Sequence, residues 1–111
     1  MMFTHAITRQ PGPDYPNGLT TSSLPAPELS LTLAQHEKYS ACLRNVGLIV
    51  EELAPAPGFP DACFVEDTAV VVPEVAVISR PGAASRLEEA QLMAPVLARY
   101  RPLVRIDAPG T

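Results

Sequence analysis

The chain has 111 residues, is 47% hydrophobic and carries a formal net charge of −4, which suits one modest globular domain or a piece of a larger one. Eight basic against twelve acidic residues exclude the basic footprint that nucleic acid requires, and no apolar run reaches the ~18–20 residues of a membrane helix. The start, MMFTHAITRQ, has no charged-then-apolar leader layout, and Cys42 and Cys63 are too few for a disulfide framework, so the expectation is a soluble, cytoplasmic protein with free thiols.

In chain order, Phe3 to Arg9 alternates loosely and predicts a strand that stops at Pro11. Gln10 to Pro27 is turn-like (PGPDYPNG, then SSLPAP), an 18-residue loop of the kind that usually has a function when ordered. Thirteen prolines, far above an average near 5%, cluster here and at 55–60, where they punctuate short elements. A helix is predicted from Ser30 to Val46, with Leu29, Leu33, His36 and Leu43 on one face and Tyr39, Cys42 and Val46 beside it. Gly47 stands where a C-cap glycine belongs. Leu48 to Leu53 reads as a strand and Ala54 to Pro60 as a loop.

Phe64 to Val72 predicts the strongest strand. Pro73-Glu74 turns it back into Val75 to Ser79, a two-residue hairpin. After Pro81-Gly82, Ser85-Arg86-Leu87-Glu88 spells a capping box. It opens a helix running to about Tyr100 with Ala90, Met93, Ala94 and Leu97 on one face, and Pro95 is expected to kink or loosen it. A short strand, Leu103 to Ile106, follows. The order β, α, β, β, β, α, β makes a mixed α/β domain.

Within this pattern, GFPDACFVEDTAVVV places Asp61, Glu66 and Asp67 within seven residues at the mouth of an apolar strand. A structural account exists for each: Asp61 follows Phe59-Pro60 in a turn, and adjacent strand residues such as Glu66 and Asp67 point to opposite faces, one of which can be solvated. The functional account starts from the run around them, which reads as buried on both faces. A buried unpaired carboxylate is expensive and needs a cation. Arg80 and Arg86 are the nearest in sequence, so a guest cation is expected. A guanidinium suits several carboxylates better than a metal does here, because no calcium-loop pattern accompanies them. Cys42 and Cys63 read as packing thiols, His36 as a helix-face residue and His5 as a strand residue.

FPDACFVEDTAVV also resembles the FPD-x-x-FVED signature of the dimethylarginine dimethylaminohydrolases, in the guanidino-group-modifying superfamily. NGLT at 17–20, QHEKY at 35–39, ISRPGAASR at 78–86 and the closing IDAPGT agree in order and spacing. The resemblance implies a partial pentein-type α/β propeller, about two of five ββαβ modules, as the N-terminal part of one domain. It implies an enzyme that hydrolyses N-omega-methylated arginine to citrulline and a methylamine through a cysteine-thiouronium intermediate, with no cofactor. It gives Asp67, assisted by Glu66, to the substrate guanidinium, Asp61 to the α-ammonium and Arg86 to the α-carboxylate, and it has the Leu19 backbone in the long first loop touch substrate as well. It also implies that the chain stops at Thr111 ahead of the catalytic glutamate, histidine and cysteine. Alone it is then expected to be inactive, with open strand edges that favour self-association or pairing with the missing C-terminal part. Two alternatives stand beside this: an arginine deiminase or amidinotransferase relative, and a non-catalytic binding or assembly module.

Overall fold

The computed structural model describes residues 3–111. Met1 and Met2, which open the stretch read above for a leader, lie outside them. Five strands and two helices follow one another as β1 (His5–Arg9), α1 (Leu29–Asn45), β2 (Ile49–Leu53), β3 (Ala69–Val71), β4 (Ala76–Ile78), α2 (Leu87–Leu97) and β5 (Leu103–Arg105). They divide into two compact units, residues 1–63 and 64–111.

The first unit is a βαβ motif. β1 and β2 pair in parallel, from His5 opposite Ile49 to Arg9 opposite Leu53, with α1 as the crossover. α1 ends in a Schellman motif: Gly47 takes φ +97°, its N–H donates to the Arg44 carbonyl, and Leu48 N–H donates to the Leu43 carbonyl. Only a glycine enters that left-handed conformation without strain.

The inward face of α1 differs from the expected one. Leu29, Thr32, His36 and Leu43 are half-buried and Ser40 is fully buried, whereas Leu33, Tyr39, Cys42 and Val46 are exposed. The line at 29, 32, 36, 40 and 43 follows the helical period with hydroxyl residues included, and a reading by apolar residues alone rotates the face. Ser40 Oγ lies 3.3 Å from Thr8 Oγ1 of β1, so each buried hydroxyl has a partner. Cys42 is therefore not a packing thiol, and Cys63 is only half-buried. His36 does sit on the helix face, 3.8 Å from Glu52 Oε1, and Arg44 reaches the other oxygen of Glu52 at 3.5 Å.

The second unit is a complete ββαβ module. β3 and β4 form the expected antiparallel hairpin across Pro73-Glu74, with Val72 and Val75 exchanging backbone hydrogen bonds, and β5 joins β4 in parallel. The core of the unit is Ala76 and Ile78 of the central strand against Ala90, Met93, Ala94 and Leu97, the predicted face of α2. Three of these six residues are alanines, which lets helix and sheet approach closely, and Ile78, 1% exposed, is the largest of the fully buried side chains.

Three expectations change here. Phe64 to Val72 is not one strand: Val65–Asp67 forms a 3₁₀ turn, and β3 begins only at Ala69. Asp67 N–H donates to the Phe64 carbonyl, Thr68 N–H to the Val65 carbonyl, and the buried Thr68 hydroxyl donates to that same carbonyl at 2.6 Å. A threonine that can bond back three residues offers the backbone an alternative to the sheet ladder. Nor is the run buried on both faces, since Val70 is 65% and Val72 39% exposed. The capping box does not form either. Ala84–Arg86 makes another 3₁₀ turn leading into α2, Ser85 lies inside it, and no side chain caps the helix. Pro95 sits within α2, and the helix ends at Leu97, short of Tyr100. Neither helix is long and apolar enough to cross a membrane.

Candidate substrate-binding site

Each unit holds a set of the acids singled out in the sequence. In the first, Asp61 is 7% exposed at the end of a series of turns in which Phe59 N–H reaches the Ala56 carbonyl and Ala62 N–H the Phe59 carbonyl. Asp61 Oδ2 accepts a hydrogen bond from Leu19 N–H at 3.1 Å. The long first loop is thus tied to the acid at Leu19, so Asp61, matched to the α-ammonium, and Leu19, matched as a substrate contact, lie side by side. Asp61 takes the Leu19 N–H, a donor, and the backbone group of Leu19 that can accept from a cation is its carbonyl.

Two further residues build this corner. Gly18 has an ordinary extended conformation, yet a Cβ there would lie 2.5 Å from Asp61 Oδ1 and 3.3 Å from the Tyr15 carbonyl. Its glycine is required by close approach rather than by φ. Gly18→Ala should push the Asp61 carboxylate away and destabilise the unit by about 1–2 kcal/mol. Amide exchange checks this, because Leu19 N–H should lose its protection while the β1–β2 amides keep theirs.

Tyr15, in the 3₁₀ turn Tyr15–Asn17, is the second. Burial first, then the neighbouring Cys63 and Asp61, push its phenol above the ordinary 10.0. The folded chain therefore holds this proton longer than the unfolded chain does. The contribution is complete below pH 10 and falls away as pH climbs from there through the raised folded value. Urea midpoints measured from pH 8 to 11 should drop less steeply above pH 10 for Tyr15→Phe than for the parent chain. Nothing in the sequence around Tyr15 except its place in a turn-rich loop marked it.

In the second unit, Glu66 and Asp67 lie in the 3₁₀ turn and both are exposed. Asp67 is fixed on several sides. Its backbone carbonyl accepts from Ser79 Oγ at 2.7 Å, and its Oδ2 receives Arg86 Nη1 at 2.7 Å, while the side chain stays 53% exposed. Arg86, 15% exposed, also holds Glu89 with Nε and Nη2, and its Nη2 lies 3.4 Å from the Phe64 carbonyl. The Glu89 hydrogen bond above all, with Asp67 second, keeps the Arg86 guanidinium charged well beyond its ordinary range.

The deduction that these acids must look outside the chain for a cation therefore fails for Asp67. Arg86 supplies it, because the 3₁₀ turn that replaces the strand faces the start of α2. Among the described residues the buried acids are Asp61 and Glu89, and the sequence reading above does not single out Glu89. Its signal was the i, i+3 spacing from Arg86 at a helix start. Among the described residues no group of three or more His, Cys, Asp or Glu converges to hold a metal ion.

Against known proteins, the chain is 38% identical over 112 aligned residues to the N(G),N(G)-dimethylarginine dimethylaminohydrolase of Pseudomonas aeruginosa, covering 99% of this chain and 44% of that protein. The Streptomyces coelicolor protein of the same name is also 38% identical, over 96% of this chain and 42% of its own length. A structure of the Pseudomonas aeruginosa enzyme, a cysteine-to-serine variant complexed with citrulline, superposes with a TM-score of 0.96 over the whole chain and 44% of its own. The chain corresponds to the N-terminal portion of the dimethylarginine dimethylaminohydrolase family. It spans less than half the length of these curated relatives. No family model matches. The N-terminal domain of a cyanobacterial arginine dihydrolase bound to substrate, 21% identical with a TM-score of 0.69 over 91% of this chain and 39% of its own, shares the fold. The architecture is thus a partial pentein-type α/β fold, with 64–111 as one whole ββαβ module.

Proposed function

We propose that this chain is the substrate-recognition part of a hydrolase that converts N-omega-methylated arginine to citrulline and a methylamine. Membership of a guanidino-group hydrolase family supports the class. The observation that carries the finer reading is Asp67: a half-exposed carboxylate, held rigid by Arg86 and Ser79, on the turn built from the FVED residues. A fixed carboxylate with open lone pairs is what a planar guanidinium recognises.

In this reading Asp67 takes the guanidinium nitrogens and exposed Glu66 adds charge beside it. Asp61 and the Leu19 carbonyl take the α-ammonium. Arg86 has the charge for an α-carboxylate, but it already clasps Asp67 and Glu89, so a substrate carboxylate would compete with Asp67 for Nη1. The nucleophilic cysteine and its proton-moving histidine come from beyond these residues, and the chain by itself is inactive. Exposed apolar strand residues such as Ile49, Val70 and Val104 support the expectation that more protein covers it, either the rest of the family's length or a second copy.

The test is citrulline release by the full-length protein from N(G),N(G)-dimethylarginine and from arginine, in parallel. Faster turnover of the dimethylated substrate supports the reading. Faster turnover of arginine replaces it with a deiminase. Binding without turnover makes the protein a recognition module.

A further inference from the structure

Glu89 is a buried acid for which the reading above has no use. It lies in the first turn of α2 and is 2% exposed. Arg86 gives it one edge of the guanidinium, with Nε 3.1 Å from each Glu89 oxygen and Nη2 2.8 Å from Oε1. The other edge reaches Asp67 Oδ2 through Nη1. One cation therefore sits between two carboxylates, the first enclosed and the second open to solvent.

Two consequences follow from electrostatics. A guanidinium gripped along one edge cannot rotate, so its other edge presents Nη1 in one direction and pins the Asp67 carboxylate. The charges also leave a remainder: two carboxylates and one guanidinium sum to a single negative charge, and solvent reaches it at Asp67. Without the Glu89 charge, Arg86 would neutralise Asp67 instead, and the opening would hold nothing to attract a cation.

We propose that Glu89 is a positioning residue for guanidinium recognition, anchoring Arg86 so that Asp67 is held in place yet keeps the net negative charge that a cationic head group needs. The proposal rests on the reading of Asp67 as the guanidinium-binding residue. Glu89 itself touches no substrate.

The experiment uses the full-length protein with Glu89→Gln, Glu89→Asp and Asp67→Asn, and two readouts. The first is water exchange of the Arg86 ε-proton by ¹⁵N NMR. Glu89→Gln should speed it about tenfold or more, whereas Asp67→Asn should leave it within about twofold. The second is calorimetric titration with N(G),N(G)-dimethylarginine. Glu89→Gln should weaken binding about tenfold or more, less than truncating a charge that itself meets the guest, because Glu89 acts only through Arg86. Glu89→Asp, which keeps the charge, should stay within about threefold.

A folded Glu89→Gln that binds within about twofold of the parent overturns the proposal. If Glu89→Gln does not fold, the parent protein decides: the ε-proton should stay protected at saturating dimethylarginine, and losing that protection overturns it. If the parent protein does not bind the probe, the reading of Asp67 fails separately. The anchoring role then stands or falls on whether the ε-proton ignores Asp67→Asn.

Discussion

Arg86→Ala should destabilise the 64–111 unit by roughly 3 kcal/mol. The substitution leaves Glu89 buried with its carboxylate unpaired, and it releases Asp67 and the Phe64 carbonyl together. Breaking a buried pair from one side is severe because the remaining charge cannot reach water. Arg86 keeps 15% of its side chain exposed, so water entering the space it vacates holds the loss near the lower end of the usual range. Urea unfolding at pH 7 measures it, as a lowered midpoint with an unchanged slope. Replacing both partners, as Arg86→Met with Glu89→Leu, should recover all but about 1 kcal/mol, because two matched apolar side chains carry no stranded charge. A double variant as unstable as Arg86→Ala would mean that the loss comes from packing rather than charge.

Asp67→Asn should abolish most of the guanidinium affinity of the full-length protein while barely changing its stability. The carboxylate is 53% exposed, so its loss buries no orphan, and asparagine can still accept from Arg86 Nη1. Against a bound cation the change is large. It removes the charge that Glu89 leaves unbalanced and turns one acceptor of the carboxylate into a donor facing the guest's own N–H groups. A loss of roughly 2–4 kcal/mol is expected, about 30- to 1,000-fold in affinity for dimethylarginine by calorimetry. Asp67→Asn with unchanged affinity would remove Asp67 from the site. Glu66→Gln, at an exposed position beside it, should weaken binding less than tenfold.

The two acidic sets were legible in the residues to different degrees. FPD and FVED carry the resemblance, and the matching proteins agree with it along the whole chain. FVEDTAVVV has the composition of a strand enclosed on both faces, yet it folds as a 3₁₀ turn followed by a short, partly exposed strand. Glu66 and Asp67 prove exposed, and the enclosed acid paired with arginine is Glu89, on the helix that follows. The physical rule, that an enclosed carboxylate finds a cation, holds at Glu89, whose one signal in the chain is its i, i+3 spacing from Arg86. Tyr15 and Gly18 were hidden for a related reason, since both are defined by closeness to Asp61, more than forty positions later.

What the chain declares on its own is what short-range rules decide. The order of seven elements, the hairpin across Pro73-Glu74, the glycine that ends α1 and the apolar face of α2 all depend on neighbours within a few positions, where backbone sterics and the helical or strand period dominate. Folding in three dimensions decided the rest. Thr68 bonds back to Val65 rather than extending β3, Ser85 lies in a turn rather than capping a helix, and Arg86 closes on Asp67 nineteen residues away. These outcomes turn on small differences between competing hydrogen bonds and on which charges packing brings within three ångströms, quantities that exist only once both elements are in place.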